Sequence, residues 1–180
     1  MRELAYIIIA LVVVQRLAEL VYAERNTKAL LARGAVEVGR AHYPLIVLLH
    51  ATWLIAIVAM LPRDVTVNFV LLAIFVVLQA LRVWVLATLG PYWTTRIITL
   101  PGAPLVRRGP YRLLRHPNYT VVVGEIAVLP LVFGEIWVAV VFTILNALML
   151  AWRIRQENAA LALRRTMDPG PGAGISSVKG

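Results

Sequence analysis

The residues of this chain whose types and spacing could carry chemistry fall into three groups. Arg115-His116-Pro117-Asn118-Tyr119 joins a cation, an imidazole and a helix start. The residue before a proline is biased away from helix, and proline is favoured at the first helical position. The spacing therefore predicts His116 at the N-terminus of a helix opening at Pro117, where free backbone N–H groups favour an anion. Arg153 and Glu157 stand four residues apart, on one face of a helix; the pair can bind charged ligand ends or close on itself as a surface ion pair. The third group, Gln15, Arg16, Glu19, His50, Gln79, Arg82 and Glu125, lies inside apolar runs. Ionisable groups there are costly, and they usually line a cavity or pair with one another. Arg16 and Glu19, three residues apart, can pair along one helix, and Arg82 can snorkel to the interface. His116, His50 and Glu125 are the groups able to accept a proton. The chain has no cysteine, which removes thiol catalysis, disulfides and Cys-ligated metal from the possibilities.

The elements that must position these residues are membrane spans. Of the 180 residues, 61% are apolar and 15% charged, with mean hydropathy +0.80. A soluble domain of this size could not bury so much apolar surface. Five apolar runs are expected to cross the bilayer as helices: Leu4–Tyr22, Tyr43–Leu61, Val67–Leu89, Tyr119–Phe133 and Glu135–Trp152. The last two are short and form a helical hairpin about Gly134. The expected fold is all-α, a single membrane domain over residues 1–165, with a Gly/Pro/Ser-rich, disordered tail from 166 to 180. If the chain alternates sides, 14 of its 18 basic residues fall on one face, in the first loop, the third loop and the C-terminal segment. The positive-inside rule makes that face cytoplasmic and puts the N-terminus outside. The net charge of +9 then reflects topology, and nucleic-acid binding is excluded. The first run lacks the basic start and the cleavage site of a signal peptide.

Counting depth at about 1.5 Å per residue places Gln15, Arg16, Glu19, His50, Gln79, Arg82 and Glu125 in the cytoplasmic halves of their spans, with His42 at the mouth. A polar cavity open to the cytoplasm is expected. The third loop, Gly90–Asn118, is 29 residues long, more than a structureless connection usually reaches. Its apolar residues argue against disorder, and Tyr92, Trp93 and Tyr111 suit the headgroup level.

The run GPYRLLRHPNYTVVVGE, followed by an apolar hairpin and RIRQENAAL, resembles the isoprenylcysteine carboxyl methyltransferase family of integral membrane enzymes. The pattern G-x-Y-R-x-x-R-H-P-x-Y and then R-x-x-x-E covers about Gly109–Leu161. The N-terminal stretch QRLAELVYAERNTKALLARGAVEVGRAHYPLIVLLH resembles the bacterial branch that O-methylates alkylpyrones or alkylresorcinols. Two features depart from many members: Asn158 stands where they carry a second Glu, and the tail lacks their tyrosine. Both set the C-terminal edge of the site, and a prenylcysteine substrate, apart from the family pattern.

The resemblance implies S-adenosyl-L-methionine as methyl donor, with residues 90–165 as the cofactor half and 1–89 as the substrate side. Arg115, His116, Pro117 and the helix start would meet the donor's carboxylate. Glu157, with Asn158 beside it, would meet its ammonium or ribose hydroxyls, and Tyr111 and Tyr119 its adenine. His116, Arg153 and Glu157 are the expected catalytic residues. Arg153 either orients Glu157 or polarises the acceptor, and His116 ranks first as base for a hydroxyl. Gln15, Glu19, His50, Arg82, Trp93 and Glu125 are expected around a lipophilic acceptor that enters from the bilayer, in a multi-pass protein of a prokaryotic plasma membrane. The methylated oxygen would be phenolic or enolic, or that of a prenylcysteine-type carboxylate. The alternatives are a phospholipid N-methyltransferase, a nicotinamide-dependent membrane reductase, or a small ion-coupled transporter. A reductase lacks support from any G-x-G-x-x-G loop, and a transporter from any internal repeat.

Overall fold

The computed structural model describes residues 1–39, 43–101, 106, 108–114 and 116–167, the side chains of 158–167 excepted. His42, Arg115, the Asn158 side chain and the tail from 168 lie outside the described residues. Five helices build the domain: α1 (Arg2–Ala32), α2 (Tyr43–Met60), α3 (Phe69–Leu89), α4 (Pro117–Val132) and α5 (Ile136–Met167). Helices α1, α2, α3 and α5 are long and apolar enough to cross a membrane, while α4 has 16 residues. At about 1.5 Å per residue, α4 falls short of a hydrocarbon layer roughly 30 Å thick. The expected all-α architecture needs one amendment. The short strands β1 (Val36–Val38) and β2 (Ile97–Thr99), rich in β-branched residues, pair antiparallel, Val36 opposite Thr99 and Val38 opposite Ile97, and so join the first loop to the third. The helix at the C-terminus also continues through Met167, two residues into the segment expected to be disordered.

The end of the bundle away from this ribbon is closely packed. Ala5, Ile9 and Val12 of α1 meet Trp53 and Ile57 of α2, Phe75 of α3, and Ile126, Leu129 and Val132 of α4 in one buried cluster. Asn68 caps α3, accepting from the Val70 and Leu71 N–H groups at 3.1 Å each. Its own N–H donates to the Val132 carbonyl at 2.9 Å, tying the start of α3 to the end of α4. Midway along the same pair, Gly124 lets the helices approach: a Cβ there would stand 2.9 Å from Leu78 Cδ2. The outer faces carry Leu11, Ile55, Val70 and Leu148, each more than 60% exposed. Large apolar side chains turned outward on every long helix suit a lipid surround.

Candidate functional site

Toward the ribbon end, the packing gives way to a cavity of about 230 Å³ walled by α1, α2, α4, α5, Arg82 of α3 and the Trp93–Thr95 segment. The segment is held from two sides. Asn26 of α1 donates through Nδ2 to the carbonyls of Gly90 (3.1 Å) and Trp93 (2.8 Å), and Thr95 Oγ1 donates to the Tyr43 hydroxyl at 3.3 Å. Trp93 is 3% exposed and stacks on Tyr22 with ring centroids 5.9 Å apart. The indole is drawn into the fold because Asn26 binds its backbone and Tyr22 offers an aromatic face.

Two polar clusters adjoin the cavity. The first joins α1, α3 and α4. Arg82 grips Glu19 with Nε and Nη2, both at 2.6 Å, and reaches Glu125 with Nη1 at 2.8 Å. Arg16 bridges the same carboxylates, at 2.9 Å to Glu19 and 2.8 Å to Glu125. Gln79 donates to Glu125 at 2.9 Å. Gln15 donates to Glu19 at 3.0 Å and to Gln79 at 2.8 Å. Paired arginine and carboxylate geometry of this kind is the strong form of hydrogen bond. Arg82 is buried and does not snorkel. Arg16, Glu19 and Arg82 reach the cavity wall, whereas Gln15 and Glu125 are not on it.

The second cluster joins α4, α5 and the third loop. His116 is the N-cap of α4, with no side-chain capping bond, and its ring stacks on that of Tyr119 at 5.3 Å. The Tyr119 hydroxyl donates to Glu157 at 2.5 Å and accepts from Arg153 Nε at 2.9 Å. Arg153 Nη2 donates to the Thr95 carbonyl at 2.7 Å. Arg153 and Glu157 thus share a face as expected, but a tyrosine hydroxyl stands between them in place of a direct ion pair. Tyr111, in the single helical turn Gly109–Arg112, lies near the same carboxylate. Burial and, after it, Glu157 hold the Tyr111 hydroxyl well above the usual phenol range, so it remains a donor. That turn packs tightly on α3: Gly109 has φ +56° and a Cβ there would meet Thr88 Oγ1 at 2.7 Å, which only glycine tolerates.

Tyr119, Arg153, Trp93, His50, Glu19 and Arg82 line the cavity, whereas His116, Pro117, Tyr111 and Glu157 are not on its wall. Several wall residues are additional to those the sequence pointed to. Asn118 Oδ1 is buried with no partner among the described residues; its place inside the Arg-His-Pro-Asn-Tyr run was the available signal. Asn146, 2% exposed on the wall, is the lone amide in an apolar stretch of α5, and an isolated polar residue in a span is itself a signal. Thr95 contributes a backbone carbonyl, for which sequence offers none.

The Asn118 acceptor, unpartnered among the described residues, the Glu157 carboxylate and the His116 ring, which makes no capping bond, form a donor and acceptor set that fits a zwitterionic ligand with an ammonium, a carboxylate and hydroxyls. Comparison with known proteins shows the family. The model of the isoprenylcysteine carboxyl methyltransferase family matches residues 70–163. An uncharacterized protein of Bacillus subtilis (strain 168), YpbQ, is 37% identical over 160 residues, 87% of this chain and 95% of its own length. An uncharacterized protein of Haemophilus influenzae is 31% identical over 143 residues, 77% of this chain and 83% of its own. No solved structure matches the chain significantly.

Proposed function

The chain belongs to the isoprenylcysteine carboxyl methyltransferase family and is a membrane methyltransferase, and from that premise we propose that it transfers a methyl group from S-adenosyl-L-methionine to an oxygen of a lipophilic acceptor. The observation that carries this reading is the second cluster. Asn118 Oδ1, an acceptor without a partner among the described residues, is on the wall of the apolar cavity, and the next residue, Tyr119, links that wall to the Glu157 carboxylate behind it. A water-soluble donor and a lipid acceptor need such a junction.

S-adenosyl-L-methionine, when bound, supplies a sulfonium methyl carbon open to in-line displacement. The chain's own residues do the rest. Glu157 and Asn118 bind the ammonium and hydroxyls of the donor. His116, Arg115 and the α4 start take its carboxylate, with Pro117 fixing that start, while Tyr111, Tyr119 and Asn158 complete its surround. Arg153, buried and bonded to Tyr119 and Thr95, fixes the boundary between donor and acceptor, and such positioning can supply several kcal/mol of a barrier. The acceptor lies in the cavity against Glu19, His50, Arg82 and Trp93, while Gln15 and Glu125 hold the wall from behind. Its alkyl chain leaves between α1 and α2, where the wall residues Leu17 and Val47 are exposed. The site faces the cytoplasm of a prokaryotic plasma membrane, on the strength of the basic loops at that end. A transporter reading gains nothing from the first cluster, in which every carboxylate oxygen is already paired.

The test is calorimetric titration of the detergent-solubilised protein with S-adenosylhomocysteine, alongside Glu157→Ala and His116→Ala. Micromolar binding by the wild type, weakened about tenfold or more (~1.4 kcal/mol) in both variants, supports the donor site. A well-folded wild type that does not bind overturns it.

A further inference from the structure

His116, His50 and Glu125 were the candidates as proton acceptors; Glu125 is tied up by Arg16, Arg82 and Gln79, and the two histidines stand in different places. His116 caps α4 and stacks on Tyr119, away from the cavity wall. His50 is on the wall, seven residues and so about 10 Å along α2 from Tyr43, among Val47, Ala51 and Leu54. Its Nδ1 lies 2.8 Å from the Ile46 carbonyl. A carbonyl oxygen can only accept, so Nδ1 carries the ring's proton and the neutral imidazole is left with a lone pair on Nε2. A basic nitrogen is thereby fixed in one tautomer on the wall of an apolar cavity. The charged and titratable groups that face this space are Arg16 and Glu19 from α1, Tyr43 from α2, Arg82 from α3, Tyr119 from α4 and Arg153 from α5. The guanidinium groups of Arg16, Arg82 and Arg153 belong to the same wall. Glu19 is already bonded to both Arg16 and Arg82, so among the wall groups the imidazole is the base left uncommitted.

We propose that His50 is the general base of this enzyme, taking the proton of an acceptor hydroxyl as that oxygen is methylated. The inference rests on the methyltransferase reading and narrows it. A carboxylate arrives ionised and gives a base nothing to remove. A hydroxyl must lose its proton as it attacks: the O–H bond breaks toward Nε2, and the oxygen's pair forms the new bond to the methyl carbon. The bond from that carbon to sulfur is lost, its electron pair staying on sulfur. The imidazolium releases its proton to water as the methyl ether departs. During the transfer, the guanidinium groups at the polar end stabilise the developing oxyanion. The alkyl chain of such an acceptor extends along Val13, Leu17 and Leu54 toward the α1–α2 gap.

The experiment uses the full chain in detergent with isotopically labelled S-adenosyl-L-methionine, and either a long-chain alkylresorcinol or a farnesylcysteine carboxylate as acceptor. For His50→Gln we expect turnover of the alkylresorcinol to fall about a hundredfold, with S-adenosylhomocysteine affinity within twofold of wild type. The loss should shrink as pH rises toward the phenol's own ionisation, and shrink likewise with a ring-fluorinated, more acidic alkylresorcinol; a purely structural role for His50 would produce neither rescue. His50→Asn serves as the second variant and should behave in the same way. Unchanged turnover in both variants, or a loss that neither pH nor the acidic acceptor relieves, overturns the assignment of the base. Methylation of farnesylcysteine but not of the alkylresorcinol by the wild type removes the need for a base and overturns its assignment, and leaves the methyltransferase reading standing. Failure of the wild type to bind S-adenosylhomocysteine overturns that reading itself.

Discussion

In the cluster that joins α1, α3 and α4, all four carboxylate oxygens of Glu19 and Glu125 meet a guanidinium or an amide. Around Tyr119, by contrast, the carboxylate of Glu157 is met by a tyrosine hydroxyl and the Asn118 oxygen is buried with no partner among the described residues. Both clusters sit at the same end of the bundle and both reach the cavity. The first is complete without a ligand, so removing one member strands the others in a medium that cannot solvate them. The second has capacity to spare, and spare capacity in a buried polar group is costly unless a ligand uses it. The contrast separates residues that hold the wall from residues that would hold a ligand.

The comparison is broken most easily at Glu125. Glu125→Ala leaves Arg16 and Arg82 short of a counter-charge, and a loss of about 3–5 kcal/mol is expected, seen as a large fall in the thermal midpoint in detergent. A variant that melts like wild type yet cannot turn over would move the first cluster into the ligand site. Tyr119→Phe removes the hydroxyl between Arg153 and Glu157. It should weaken S-adenosylhomocysteine binding by roughly tenfold (~1.4 kcal/mol), with little change in melting. Asn118→Ala deletes an acceptor that has no partner among the described residues, so stability should hold or rise slightly, while the same titration shows affinity down several-fold (~1 kcal/mol).

The smallest effect concerns Glu135, a carboxyl in the turn before α5 whose two buried oxygens have no partner among the described residues. Burial raises it from an ordinary 4.5 to about 7. The folded state thus holds its proton more tightly than the unfolded chain. Stability is fullest below about pH 4.5 and falls as pH rises through 7, by on the order of 1 kcal/mol after solvent screening. Glu135→Gln should flatten that part of a melting-versus-pH curve; an unchanged slope would locate the dependence elsewhere.

Much of this organisation was legible in the sequence, for reasons that differ from residue to residue. Apolar runs of bilayer length gave the four long helices, because hydrophobic length is a one-dimensional quantity. The start of α4 was legible because Pro117 restricts the residue before it as well as itself. That Gln15, Glu19, Arg82 and Glu125 would share a depth followed from counting rises. Which of them would face the cavity did not, since that depends on helix rotation, and rotation is set by contacts such as Gly124 against Leu78. The β1–β2 ribbon was missed because two three-residue stretches separated by some sixty residues carry no local period. The Tyr119 bridge between Arg153 and Glu157 was missed because it crosses from α4 to α5, outside the reach of any i, i+4 argument.

The first cluster also bears on how the chain enters the membrane. Arg16 carries its counter-ion, Glu19, on the same helix, so the α1 span can partition with no net charge. The one charged side chain of α3 is Arg82 and the one of α4 is Glu125; these two helices follow each other in the chain and pack together, so their charges cancel as a hairpin. Helix α2 has no charged side chain. Each unit delivered in order during synthesis is therefore neutral before the quartet exists, and the cost of burying an isolated ion is never met on the way to the finished fold.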